Sequence, residues 1–172
     1  MPTPAYISIN GVTQGAITSG ASTSDSVGNV FVEGHEDEIL IQEVLHQVTV
    51  PTDPQSGQPS GPRVHKPFIF TSAMNKATPL MYQALAAGEM LDSVMVRWFR
   101  TSTEGKQEHF FSTAFEDATI VDIETVLPHA QVASNKDFTQ LVKVSLAYRK
   151  ITWTHEASGT EGSDDWRKPI EA

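Results

Sequence analysis

The residues most capable of chemistry in this chain are its six histidines (His35, His46, His65, His109, His129, His155) and its adjacent acids, Glu36-Asp37-Glu38, Glu116-Asp117 and Asp164-Asp165. The block His35-Glu36-Asp37-Glu38 has the composition of a hard-metal or general-base cluster. It lacks the second histidine four residues on that a zinc-peptidase helix requires, and the alternating ligands and central glycine of a calcium loop. A solvated acidic turn ahead of a strand fits it better. No two histidines fall at ligand spacing on one expected strand face, and the chain has no cysteine to complete a zinc set or form a disulfide. No metal site is expected. The paired acids could imitate the two carboxyls of a glycosidase, but those must face each other across a cleft, whereas neighbours along a strand point to opposite faces. There is no Gly-x-Ser-x-Gly elbow, glycine-rich phosphate loop or dinucleotide fingerprint, so no catalytic residue and no cofactor is expected. An enzyme reading would need a site assembled from distant residues.

The elements that would position these groups are mostly strands, because apolar residues recur with period two. Tyr6 to Ile9 followed by Asn10-Gly11 reads as a strand entering a tight hairpin. Residues 15–29, rich in Ser, Thr and Gly, read as a loop or irregular edge. Residues 38–50 read as one long strand, with Leu40, Val44, Val48 and Val50 on one face and Ile39, Ile41 and Leu45 on the other. A strand apolar on both faces should be covered on both. A single helix is expected from Thr78 as N-cap and Pro79 in the first turn, through Leu80, Met81, Ala84 and Leu85, to Gly88. A meander follows over residues 94–101, 107–115 and 119–126. Residues 141–154 read as the last long strand, with a parity change near Arg149-Lys150 that implies a bulge or a switch of face. Trp98 and Trp153 are expected in the core. Trp166, among charges in a polar tail at 156–172, is either an interface anchor or folded back on its own sheet. About eight strands and one helix describe a mainly β fold, a two-sheet sandwich or partly closed barrel with a short flanking helix.

Five prolines between residues 51 and 67 keep that segment out of any helix or central strand. It is read as a long Pro/Gly-rich extended loop, either an arm reaching a neighbouring molecule or a loose hairpin tip. At 172 residues the chain is taken as one domain, 1–172. Its formal charge of −9 opposes nucleic-acid binding, and no apolar run is long enough to insert in a membrane. The N-terminus has no secretory signal pattern, so folding in the cytoplasm is expected, and any export would use a route that reads no cleavable signal. The charge is uneven. Residues 1–62 hold seven acids and no Lys or Arg, which either keeps the protein soluble or lets unlike portions of two copies meet.

Five stretches carry a family likeness: Pro4-Ala5-Tyr6-Ile7-Ser8-Ile9, Gly34-His35-Glu36-Asp37-Glu38, Val64-His65-Lys66-Pro67-Phe68, Tyr148-Arg149-Lys150-Ile151-Thr152-Trp153-Thr154-His155 and Ser163-Asp164-Asp165-Trp166. In this order, from about residue 4 to about residue 169, the chain resembles the haemolysin-coregulated protein (Hcp) family, the tube subunits of type VI secretion systems. The resemblance implies a two-sheet barrel with a flanking helix that forms hexameric rings. The rings would stack into an inner tube beneath a spike and inside a sheath, with small effector proteins in the lumen. It also implies that the subunit itself is exported. With the sequence ending soon after the barrel, no fused toxin domain is expected. The resemblance favours the arm reading of residues 51–67. The ring and stacking contacts are expected at Pro51, Thr52, Asp53, Pro54, Gln55, Val64 and His65, and at Trp166. Acids such as Glu36, Asp37 and Asp53 would face bases such as Arg63, Lys66, Arg167 and Lys168. The alternative is a stand-alone secreted effector or binding module with the same fold.

Overall fold

A computed structural model describes residues 3–31 and 33–166. In chain order the elements are β1 (Ala5–Gly11), β2 (Gly15–Ala16), α1 (Ser24–Val27), β3 (Ile39–Ile41), β4 (Glu43–Leu45), β5 (Val48–Thr49), β6 (Val64–His65), β7 (Phe68–Ala73), α2 (Thr78–Ala87), β8 (Met90–Thr101), β9 (Gln107–Glu116), β10 (Ala118–Val126), β11 (Leu141–Ala147), β12 (Lys150–His155) and β13 (Thr160–Asp165). All the strands but β5 and β6 belong to one hydrogen-bonded sheet.

Strand β8 is the hub. One edge pairs with β1 from Ala5↔Trp98 to Gly11↔Leu91. The other pairs with β9 and, at Met90 and Leu91, with β10. The sheet therefore has two wings, β13-β12-β9-β8-β1-β3 and β10-β11-β7-β4. Three times the chain crosses from one wing to the other at a corner: Gln42, Asp117 and Tyr148-Arg149. The result is a half-barrel. Ile7, Ile9, Val94, Val96, Phe115 and Ile151 of the first wing share one fully buried core with Phe68, Phe70, Val142, Val144 and Leu146 of the second. Each such side chain contributes about 1.5–3 kcal/mol by leaving water. Helix α2 lies along β10 and buries Met81 and Ala84, with Leu80 and Leu85 packed at its margin.

The corners explain where the strand pattern of the sequence misleads. Residues 38–50 are not one strand but three short ones. Gln42 donates its amide to Thr71 O (2.8 Å) at the β3–β4 break, after which inward positions shift from Ile39 and Ile41 to Val44 and His46, leaving Leu45, Val48 and Val50 exposed. Residues 141–154 are likewise β11 and β12 in different wings, and the expected switch of face falls at the Tyr148-Arg149 corner. Residues 160–165 of the supposed tail form β13 on the edge of β12.

Three local expectations also change. Asn10 and Gly11 lie in the strand, paired with Ala16 and Gly15, and the hairpin turns at Val12-Thr13-Gln14. Gly11 is needed for close approach instead, since a Cβ there would meet Glu89 Oε2 at 2.7 Å. That carboxylate accepts the amides of Thr13 (2.9 Å) and Gln14 (2.8 Å) and so holds the turn. Thr78 is the first helical residue and not the cap; its hydroxyl accepts from Asn75 N, while Asn75 Oδ1 accepts from Ala77 N. Gly88 ends the helix as expected, at φ 64°. Finally, the loop at 15–29 contains the four-residue helix α1.

Candidate functional site

Three of the five family-like stretches meet at one place. The corner at Tyr148-Arg149 gathers the root of the proline-rich loop (Arg63, His65), the edge strand β13 (Asp164, Asp165) and the β9–β10 corner (Glu116, Asp117). Tyr148 closes the core at 3 % exposure, packed against Phe115, and its hydroxyl meets two imidazoles, His46 Nε2 and His65 Nδ1, each at 2.7 Å. His65 Nε2 lies 2.6 Å from Asp164 Oδ2. Arg63 grips the same carboxylate with two parallel bonds of 2.9 Å and also donates to the Asp165 carbonyl at 3.0 Å. A two-pronged guanidinium–carboxylate contact of this kind is both strong and directional.

The electrostatics follow from that geometry. The Arg63 guanidinium, with His65 behind it, holds the Asp164 carboxyl below its ordinary value despite partial burial. Burial pushes the Tyr148 phenol up, with the nearby Asp164 charge adding to it. Burial lowers His46, and the neighbouring His65 lowers it further. On the outer side of the corner, Arg149 donates to Asp117 through Nε and to Asp165 through Nη1, with Glu116 3.7 Å away. Asp117 carries a left-handed φ of 50°, the sharp turn that brings it and Glu116 to the same guanidinium. Trp166 packs its ring 5.8 Å from His65 and donates its indole N–H to the Tyr148 carbonyl, so it is folded back although its outer edge is exposed.

The other two stretches meet at β1. Tyr6 and His35 stack face to face, with centroids 3.8 Å apart at 4°, and Phe99 stands edge-on to both. Glu38 turns inward, reached by His35 Nδ1 (3.3 Å) and Arg97 Nε (2.9 Å). Burial and the Arg97 charge lower His35. Glu36 and Asp37 point outward and serve their own backbone, at Gly34 N and Gly20 N. The acidic block is thus half packing and half solvated turn, as its alternation allows.

The sequence-derived contact residues separate into groups. Pro51, Thr52, Asp53, Pro54 and Gln55 are exposed, and a backbone bridge between Thr52 and Pro59 gives the loop a narrow hairpin form. Val64 is exposed, and Lys66 reaches Gln47 Oε1 at 3.3 Å. Arg63 and His65 make their contacts within the chain, and His65 is 8 % exposed. Arg167 and Lys168 lie outside the described residues. Sequence reasoning missed Tyr148, Arg149, His46 and Arg97. An Arg in the middle of an apolar strand and a His on an apolar face were the available signals.

Two places carry residue types or space that a catalytic site could use. Ser112, His109 and Glu156 have the residue types of a hydrolytic triad, but the hydroxyl lies between the other two, 2.7 Å from His109 Nε2 and 2.9 Å from Glu156 Oε1. A triad needs the imidazole in the middle, taking the serine proton. Ser112 is also buried, at 4 % exposure. The mouth of the half-barrel holds a cavity of about 460 Å³, lined in part by Phe68, Trp98, Phe111 and Trp153, with Glu43 and His46 its titratable groups. Trp98 and Trp153 are therefore partly buried at this mouth and not in the core proper. Among the described residues no three His, Asp or Glu side chains gather as a metal set, and no helix is long and apolar enough to cross a membrane.

The chain is similar to known proteins along nearly its whole length. The sequence profile of the family described as "Type VI secretion system effector, Hcp" matches residues 6–155. The chain is 55 % identical over 170 residues to a protein of Pseudomonas aeruginosa named "Major exported protein", covering 99 % of each. Two solved structures are similar throughout. One, a crystal structure of an Hcp protein, is 60 % identical with a TM-score of 0.92 and covers 98 % of this chain and 100 % of its own. The other, the secreted protein Hcp3 of Pseudomonas aeruginosa, is 49 % identical with a TM-score of 0.83 and covers 97 % and 100 %.

Proposed function

The chain belongs to the Hcp family of type VI secretion system effectors, and from that membership we propose that it is a structural tube subunit: six copies close into a ring, and rings stack head to tail into the inner tube of the secretion machine. The observation that carries this reading is the likeness along 99 % of both chains to the "Major exported protein". In this reading the subunit is exported with the tube, works beneath the spike and inside the sheath, and holds small effector proteins in the ring lumen.

Four features of the structure support the reading. Strands β4 and β13 end the path of the sheet, and an open strand edge can extend a neighbour's sheet. The exposed apolar residues Leu45, Val48, Val50 and Val64 sit around β4 and the base of the proline-rich loop, where a neighbouring copy would cover them. The loop is long, proline-stiffened and exposed at its tip, which lowers the entropy lost when it docks. Acids on its tip and on the 35–38 turn (Asp53, Glu36, Asp37) offer partners for bases of the next ring.

Replacing residues 52–62 by a short Gly-Ser linker tests the role of the loop. The variant should fold with its Arg63–Asp164 contact intact, form single rings, and lose tube formation and appearance in the culture medium. Tubes and export at the wild-type level would refute the stacking role of this loop. A monomeric wild-type protein would instead favour a stand-alone effector or binding module.

A further inference from the structure

Four polar groups form an unbroken line through the corner: His46 Nε2, Tyr148 Oη, His65 Nδ1 with Nε2, and Asp164 Oδ2, joined by contacts of 2.7, 2.7 and 2.6 Å. The line ties three separate parts of the chain. His46 precedes β5, His65 is in β6, and β5 pairs with β6 to form the root of the proline-rich loop. Tyr148 belongs to the core and Asp164 to β13. The donors and acceptors of these groups fix what the line tolerates. With both imidazoles neutral, His46 Nε2–H donates to the phenol oxygen, the phenol O–H to His65 Nδ1, and His65 Nε2–H to Asp164. All three bonds are made.

One added proton is also accommodated. On His46 Nδ1 it leaves the three bonds unchanged. On His65 Nδ1 it reverses the phenol, which then donates to His46 Nε2 in its other tautomer. A second proton has no such solution. Two imidazolium N–H groups then point at one phenol oxygen, the phenol hydrogen has no acceptor within the line, and two cations share one hydroxyl. We propose that this line is a one-proton clamp on the root of the proline-rich loop: it holds with no or one added proton and opens with the second, freeing β5 and β6 from the corner.

The surrounding charges do not remove the conflict. From the loop root come Arg63 and Lys66, both cationic; from β13 come Asp164, already bound by Arg63, and Asp165, bound by Arg149. From the β9–β10 corner come Glu116 and Asp117, both turned to Arg149, and from β12 comes Lys150, 4.0 Å from Glu116. The rings of Trp166, Phe68 and Phe115 pack on the two imidazoles without a charge, and Glu43 shares with the half-buried His46 the lining of the cavity at the mouth of the half-barrel. Burial and the neighbouring His65 lower His46, in the direction that an obstructed second protonation requires.

The consequence for tubes rests on the tube-subunit reading, since a freed loop would loosen stacking in acid; the clamp itself does not. Its test uses the full chain with histidine labelled at 13Cε1, titrated from pH 8 to 4 by NMR, alongside amide hydrogen exchange of residues 48–66 corrected for the intrinsic pH dependence. The clamp predicts that His46 and His65 titrate in two steps separated by more than about one pH unit, as coupled sites do. Protection of β5 and β6 should survive the first step and fall at least tenfold at the second, while the β8–β9 amides stay protected. His46→Gln, which cannot take the second proton, should keep the loop protected through the same range. A single shared step, or loop protection unchanged through both steps, would overturn the proposal, as would loss of protection in His46→Gln at the same pH as in wild type. Native mass recorded at pH 8 reads the ring separately: a monomer there refutes the tube reading and leaves the clamp result intact.

Discussion

Tyr148→Phe removes one oxygen from the centre of the corner and nothing else of consequence. The ring still packs on Phe115, so the core keeps its volume. Two groups lose their partner. His65 Nδ1, on a side chain 1 % exposed, is left without a donor or acceptor, and His46 Nε2, on a half-buried residue, must turn to solvent. An unsatisfied buried polar group costs about 1–3 kcal/mol, and the half-buried one less. The expected loss is therefore about 2–3 kcal/mol, which for a chain of this length lowers the melting midpoint by roughly 4–12 °C. Scanning calorimetry or fluorescence should be run at one fixed protein concentration, because assembly itself raises the midpoint. Tyr82→Phe is the control. Tyr82 is 38 % exposed and its hydroxyl meets Thr125 at the surface, so it should shift the midpoint by no more than a degree or two. A Tyr148→Phe variant that melts with the control would refute the view that this hydroxyl holds the corner together.

Other outcomes follow from the same corner. Arg149→Lys replaces a planar fork, which reaches Asp117 and Asp165 at once, by a single point charge, and should lower the urea midpoint; an unchanged midpoint would show those contacts to be idle. Asp164 holds its proton less tightly in the folded chain than in the unfolded one, chiefly because of Arg63, so the unfolded state binds more protons in acid. Its contribution is present above about pH 4 and is lost as the pH falls further. Urea unfolding from pH 6 to pH 2.5 should show that loss in wild type and less of it in Asp164→Asn; equal slopes would contradict the assignment.

The strand content and mainly β class were legible because alternation survives in β1, β7, β8 and β11. The parity change after Tyr148 announced a switch between wings, and Gly88 announced the end of α2. What periodicity cannot carry is a corner. Residues 38–50 look continuous because the break at Gln42 is bridged by a backbone bond to Thr71 and moves the apolar set by one position without changing its composition. The same limit hid the site. His46 and His65 seemed scattered because sequence spacing says nothing about distant segments that meet at a corner of the sheet. Arg63 was read as a surface base because its partner lies 101 residues away. Residues 160–165 looked like a tail, being polar throughout, yet an edge strand with one exposed face needs no apolar residues of its own.

A closed ring is read from the mass and outline of the particle, by native mass spectrometry of the purified chain with negative-stain imaging of the same sample. The tube-subunit account predicts a particle of 6 × 18.8 kDa, about 113 kDa, with six-fold rings face-on and head-to-tail stacks when the protein is concentrated. A particle of 18.8 kDa at micromolar concentration in moderate salt, with no rings on the grid, would contradict it.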